Sequence, residues 1–319
     1  MEDLIMKKLI ALVLSLMMVF AATAALADGL TFTTGGTAGT YYGYGNVLAQ
    51  YVKANSGVDM TAVAGNGSAD NIDKLDLNIA QLGFVQYDVS YYAYNGIGDY
   101  EGSPVTSFTT IAALYTEDVQ VITCNPDIKS IADLKGRNVS IGSQGSGVYF
   151  NALDFLAAYD MTIDDITPTF QSFGDSAEAL KDGKIDAAFV TAGVPTPAVT
   201  DLATSKDMYL ISLDDEHVAK LQEISAAYAT SIIPAGTYAK QDADAVTVGI
   251  KAIIIANDQV SDEDAYTIVK TIFEGKEAIT GAHAKGADLD LDYASSCGLP
   301  YHPGAAKFFA DQGITVETK

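Results

Sequence analysis

Two short stretches of this 319-residue chain carry the residue types and spacing from which a ligand site can be built. Gly36-Thr37-Ala38-Gly39-Thr40 and Gly142-Ser143-Gln144-Gly145-Ser146 share one pattern: glycine, hydroxyl, any residue, glycine, hydroxyl. Each follows a short β-branched or apolar run, Leu30 to Thr34 and Val139 to Ile141, and each opens into a tyrosine-containing segment that reads as a helix. Glycines let the backbone turn tightly there, leaving free N–H groups and a hydroxyl at a helix N-terminus, where partial positive charge favours an anion. The chemistry on offer is anion binding.

Catalytic chemistry finds less support. No GxSxG occurs, and His217, His283 and His302 sit in unrelated contexts, so a Ser-His-Asp set has no visible base. Zinc has neither HExxH nor CxxC, and Cys124 and Cys297 stand far apart, either as a disulfide or as two buried thiols. Gly142, Gly145 and Gly147 lie between a strand and a helix, but their spacing is not GxGxxG, and GxxxxGK[ST] is absent. Paired acids such as Asp164-Asp165 and Asp214-Asp215 read as solvated faces in a chain this acidic. An exported α/β enzyme acting on a small anionic substrate stays open as the alternative to binding without chemistry.

The formal net charge of −23 argues against nucleic acid and anionic membranes, both of which attract basic patches. There is a single arginine, Arg137, so a bidentate guanidinium clamp on an anion is available at one position only. An anionic ligand must be held mostly by backbone N–H groups and hydroxyls. At the N-terminus, Lys7-Lys8, an apolar run from Leu9 to about Ala25, and Ala25-Leu26-Ala27 form a secretory signal pattern, so residues 1–27 are expected to be removed near Ala27 and the protein exported.

The elements that must position the two loops alternate as strand and helix. A helix from about Tyr41 to Ala54, a strand at Met60 to Ala64, a helix capped by Ser68, and a buried strand at Leu82 to Val85 precede the polar group Gln86-Tyr87-Asp88. Phe108 to Cys124 is a long β-prone crossing segment. The pattern then repeats: a helix from Val148 to Tyr159, a strand at Thr169 to Phe173, Ser176 as a cap, and a strand at Ala187 to Val190 ending in Thr191-Ala192-Gly193. Gly36 to Gly142, Ser68 to Ser176 and Gly83 to Ala188 are separated by 106, 108 and 105 positions, a near-constant offset that points to two similar α/β lobes. Ile232 to Tyr238 reads as an extended return, Val246 to Ala256 as a core strand, and Ser261 with Asp264 as a capping box. In open α/β sheets ligands sit at the carboxyl ends of strands, where the polar groups collect, so a cleft that closes by hinge motion is the expected plan.

In combination, Thr34-Gly-Gly-Thr-Ala-Gly-Thr-Tyr-Tyr42, Gly67-Ser68, Leu82-Gly-Phe-Val-Gln86 with Asp88, Ser130-Ile-Ala-Asp-Leu-Lys-Gly136, Gly142-Ser-Gln-Gly-Ser-Gly147, Ile233-Pro-Ala-Gly-Thr-Tyr238 and His302-Pro-Gly304 resemble the TAXI family, the extracytoplasmic solute receptors of tripartite ATP-independent periplasmic (TRAP) transporters. The resemblance covers essentially the whole chain after residue 27. It implies an α/β, two-lobed periplasmic-binding-protein (Venus flytrap, type II-like) fold with a ligand cleft between lobes, one formed by 28–116 with 236–319 and the other by 117–235. It implies a non-enzymatic, monomeric receptor without cofactors that captures a small carboxylate-bearing solute, an amino acid such as glutamate or a dicarboxylate, and hands it to TRAP membrane subunits. Carried over by matched motif, the ligand-binding residues are Gly36, Thr37, Thr40, Tyr41, Ser68, Gln86 and Asp88 in the first lobe, with Ser143, Ser146, Gly147, Thr191, Ala192 and Gly193 facing them. A ligand carboxylate is expected on the loops around Thr37, Thr40, Ser143 and Ser146, and a ligand amino group on Asp88. Tyr87 and Val148 depart from the family's pattern, where a small or hydroxyl residue is common.

Overall fold

A computed structural model describes residues 29–319; the expected signal segment, 1–27, lies outside the described residues. Strand β1 (Leu30–Thr33), helix α1 (Thr40–Ser56), β2 (Met60–Val63), α2 (Ser68–Asp76), β3 (Leu82–Gln86) and α3 (Tyr87–Asn95) form the first βα series, which leads into the 16-residue strand β4 (Phe108–Thr123). A second series follows: β5 (Asn138–Ser140), α4 (Gly147–Ala158), β6 (Thr167–Thr169), α5 (Phe173–Lys181), β7 (Ala187–Ala192) and α6 (Pro197–Ser205). After β8 (Tyr209–Leu210) and β9 (Ala229–Ile233), β10 (Ala245–Asn257) returns through the molecule, and helices at Asp262–Glu274 and Pro303–Asp311 close the chain.

The sheet order, β2-β1-β3-β10-β4-β7-β5-β6, contains the sequence repeat as topology. Each half is three parallel strands, β2-β1-β3 or β6-β5-β7, flanked by one antiparallel crossing strand, β10 or β4. The crossing strands serve both halves. Phe108 to Asp118 of β4 pairs with β10, and from Asp118 to Thr123 the same strand pairs with β7. Both are buried on two faces, which is why they read as long β-branched runs rather than as alternating ones.

Core packing follows the period-two alternation of each strand. In the first half, Phe32, Leu48, Phe84 and Ile254 pack on one face of the sheet, and Ile72, Val85, Val89 and Ile253 on the other. In the second half, Val139, Phe155 and Phe189 face one way, and Leu180, Val190 and Leu202 the other. Tyr238, Ala245, Val248 and Ile250, assigned with the first lobe by position in the sequence, pack among second-half residues. The return strand changes partners beside Gly249, opposite Asp118, and so belongs to both halves.

Several local expectations differ from the structure in instructive ways. The expected strand at Thr169 to Phe173 stops at Thr169, because Ser172 accepts a hydrogen bond from the Asp175 amide and starts a helix at Phe173. Ser176, expected as that cap, is buried one turn further in, 2.7 Å from the Ser140 hydroxyl. Its counterpart in the first half is Asn71, whose Oδ1 accepts from the Thr33 hydroxyl at 2.7 Å and whose Nδ2 reaches the Thr34 and Phe84 carbonyls. Each pair ties a strand end to the second helix after it, β1 to α2 and β5 to α5. Ser261 does cap Asp262–Glu274, and the two cysteines are free thiols.

Candidate functional site

Both glycine loops occupy the junction between the halves, and each is docked on the opposite one. The Gly145 carbonyl accepts from the Asp70 amide at 2.9 Å, and the Ala38 carbonyl from the Ala198 amide at 3.2 Å. The Thr40 hydroxyl donates to the Gly193 carbonyl at 2.9 Å. Behind the second loop, Asn151 of α4 is held in a buried set. Its Oδ1 accepts from Gln86 and Thr191 at 2.8 Å each, while its Nδ2 donates to Asp88 at 2.9 Å and lies 3.0 Å from the Tyr228 hydroxyl. The halves are therefore latched together on two sides.

Glycine is required where the latch closes. Gly142 has φ +84°, and a Cβ there would stand 2.6 Å from both the Ser146 hydroxyl and the Val148 Cβ. A Cβ on Gly147 would overlap the Gln86 amide across the junction. By contrast, a Cβ on Gly36 would meet nothing within 4 Å.

Between the latches lies a cavity of about 590 Å³. Its first-half wall is Gly35 to Tyr41, Asn66 to Ser68 and Gln86; its second-half wall includes Ser143, Ser146 to Val148, Ser172 to Asp175, Thr191 and Ala192. Of the motif-matched residues, Gly36, Thr37, Thr40, Tyr41, Ser68, Gln86, Ser143, Ser146, Gly147, Thr191 and Ala192 line it. Asp88 and Gly193 do not. Asp88 is fully buried behind Gln86, accepting from the Val89 amide at 2.7 Å as well as from Asn151, so its carboxylate is directed into the latch rather than at a ligand. Gly193 presents its carbonyl to Thr40 and Thr196. Ser68, expected as a helix cap, instead accepts from the Gln86 amide at 3.0 Å while Gly67 holds the cap position.

Three helix ends at the cavity lack a side-chain cap, whereas α5, which also begins at its wall, is capped by Ser172. α1, α2 and α4 begin at Gly39, Gly67 and Ser146 with no side-chain cap, whereas helices starting after Asp214, Ser261 and Asp290 are side-chain capped. First-turn N–H groups without a cap are donors looking for an acceptor. The Ser146 hydroxyl is buried against Gly142 and has no hydrogen-bond partner among the described residues.

Several cavity residues escaped the sequence motifs, Glu117 foremost. Glu117, where β4 crosses between halves, is 1 % exposed and accepts from the Tyr41 hydroxyl at 2.6 Å through Oε1. Burial pushes its carboxyl well above the usual range, against the pull of the Tyr41 hydrogen bond, and the charges of Asp88 and Asp118 push the same way. Asp88 is pushed up to about 7, chiefly by burial, and Asp154, which accepts from Tyr228, to about 6 for the same reason. Asn66, Gly67, Phe173, Asp175, Glu178 and Asp201 also line the cavity without having been legible from the loop motifs. Arg137, the chain's one arginine, pairs at 3.6 Å with Asp186 on the surface instead.

The histidines are engaged elsewhere: His217 stacks on Tyr159 at 3.5 Å, His283 packs against Tyr44, and His302 caps the helix Pro303–Asp311. Val148 is buried and adds an apolar surface to the cavity, while the Tyr87 hydroxyl accepts from the Gly298 amide away from it.

Two α/β halves joined by crossing strands, with a cavity between them, define the two-lobed architecture of periplasmic binding proteins. Residues 32–313 match the NMT1-like family, and the chain belongs to it. Solved structures share the fold at low identity. The alkanesulfonate-binding protein SsuA from Xanthomonas axonopodis pv. citri, bound to MOPS, is 13 % identical with a TM-score of 0.52, covering 90 % of this chain and 92 % of that one. A putative L-cystine ABC transporter from Listeria monocytogenes is 13 % identical with a TM-score of 0.51, over 83 % and 98 % of the two chains. The GluR0 ligand-binding core from Nostoc punctiforme, in complex with L-glutamate, is 15 % identical with a TM-score of 0.50, over 81 % and 99 %.

Proposed function

We propose that this protein is a periplasmic solute receptor, not an enzyme, that closes its two lobes around a small carboxylate-bearing solute and delivers it to a membrane transporter. The observation that carries this is the cavity itself. It is bounded by both glycine loops and bridged by hydrogen bonds between lobes, with three uncapped helix N-termini and an unpartnered serine hydroxyl around it. Such donors suit a carboxylate, which accepts several hydrogen bonds from fixed N–H and O–H groups without a cation. The volume suits a small metabolite.

The lobes are 28–116 with 236–319 and 117–235, except that the return boundary moves toward Gly249, where β10 changes partners. Hinge motion takes place where β4 and β10 cross, at Asp118 and Gly249. The ligand is held by Gly36, Thr37, Thr40, Tyr41, Ser68 and Gln86 from one lobe and by Ser143, Ser146, Gly147, Thr191 and Ala192 from the other. Asp88 and Gly193 act behind them as latch groups.

For the membrane partner, the motif resemblance favours TRAP subunits of the TAXI type, and the receptor works as a monomer. Thermal-shift screening of the purified protein against amino acids, dicarboxylates, sulfonates and sugars tests the receptor function: a saturable rise in midpoint without turnover is expected for one carboxylate class. Product formation, or no stabiliser in any class, contradicts it. Uptake into proteoliposomes that follows an ion gradient and ignores ATP is expected for a TRAP partner; ATP-dependent uptake would overturn that assignment.

A further inference from the structure

We infer that Glu117 is the cavity's cation-recognising group, so that the captured solute is a zwitterion bearing a protonated amine as well as a carboxylate, rather than a dicarboxylate. This rests on the receptor function proposed above and narrows its ligand class. Glu117 lines the cavity, is 1 % exposed, and commits Oε1 to the Tyr41 hydroxyl, while among the described residues no donor reaches Oε2. An ionised carboxyl with a free oxygen in so buried a place is costly unless a positive group meets it.

Among the described residues, no lysine or arginine lines the cavity to serve that purpose. Lys285 approaches from behind, but its Nζ lies over the Tyr115 ring and pairs with Asp288 at 3.0 Å. Three further acids, Asp175, Glu178 and Asp201, border the same space. A dianion would enter a region of its own sign, whereas a zwitterion adds no net charge. The two ends of the solute then find separate partners: the carboxylate the uncapped amides and the unpartnered Ser146 hydroxyl, the ammonium Glu117.

Proton balance supplies a second signature. Unliganded Glu117 is surrounded by Tyr41, Tyr115, Tyr293, Asp88, Asp118 and Lys285, and burial pushes its carboxyl toward the protonated form, against the pulls of Tyr41 and Lys285. When an ammonium arrives, the carboxyl ionises and its proton leaves to solvent, so capture releases up to about one proton per solute. A neutral Glu117 that merely donated to a carboxylate would release none.

The test is calorimetry on the purified protein with the common L-amino acids and, for each that binds, the carboxylic acid lacking the amine. Expected are an amino acid that binds about 30-fold or more tightly than its deaminated counterpart, and proton release, read from buffers of different ionisation enthalpy. Glu117→Gln is expected to lose that preference while retaining the deaminated acid, and Tyr41→Phe to weaken it partially. A dicarboxylate or deaminated acid that binds as tightly as any amino acid, or an unchanged preference in Glu117→Gln, overturns the inference while leaving the receptor function intact. No saturable binding by any solute class contradicts the receptor function and the inference with it.

Discussion

The two glycine–hydroxyl loops have one sequence pattern and two physical roles. In the first, the closing hydroxyl of Thr40 is committed to the Gly193 carbonyl of the other lobe, and the next residue, Tyr41, reaches Glu117. In the second, the closing hydroxyl of Ser146 has no partner, and the residues after it are Gly147, pressed against Gln86, and the apolar Val148. Both loops dock across the junction through a carbonyl, but the first also sends its hydroxyl across, whereas the second leaves its hydroxyl without a partner among the described residues and tolerates no side chain at Gly147. A shared motif thus predicts a shared position, not a shared set of contacts.

The largest expected effect separates the loops by size alone. Gly147→Ala places a methyl against Gln86 and Ser68 across the junction and should disfavour closure by about 2–3 kcal/mol, a loss of solute affinity on the order of 100-fold by calorimetry. Gly36→Ala meets no protein atom within 4 Å, so it should leave closure itself unhindered and cost affinity only through its contact with the solute, less than the loss at Gly147. Equal effects at the two positions would erase the distinction between the loops.

Next come the hydroxyls. Ser146→Ala removes no intramolecular hydrogen bond, so its melting midpoint should stay where it is while affinity falls about tenfold. Thr40→Val removes a bond between lobes worth about 1 kcal/mol, and should weaken binding about fivefold with a small drop in midpoint. If Ser146→Ala instead lowers the midpoint and spares affinity, its hydroxyl is structural.

A more gradual effect comes from the acids behind the second loop. Burial raises Asp88 to about 7 and Asp154 to about 6, and raises Asp118 in the same direction. A carboxyl raised in the fold binds more protons than the unfolded chain does, so its contribution is complete below about pH 4 and is lost as pH climbs through the folded value. The melting midpoint should therefore decline between about pH 4 and 7, and Asp88→Asn should flatten that decline. A midpoint that rises steadily over this range would contradict the buried latch.

The sequence revealed the loops because glycine and hydroxyl residues at fixed offsets survive duplication, and it revealed the crossing strands because strands buried on both faces are apolar throughout. The depth of Asp88 was not legible. Its partners, Asn151 and Gln86, are brought together by two different lobes, and nothing local distinguishes a carboxylate facing a cleft from one facing a latch. Glu117 was missed for the same reason. In sequence, Thr116-Glu117-Asp118 looks like a polar break in a β run, yet the strand continues through it and turns Glu117 inward to Tyr41, a neighbour 76 positions away. Ser172 and Ser176 were exchanged because both could cap a helix; which one does so depends on where β6 ends.

Amide hydrogen exchange over both loops, with and without a saturating amino acid from the calorimetric panel, tests the central claim most directly. The account predicts that 36–42 and 142–150 gain protection together, in proportion to occupancy, because one solute is gripped by both lobes. Saturable binding that protects only one loop, or neither, would contradict it.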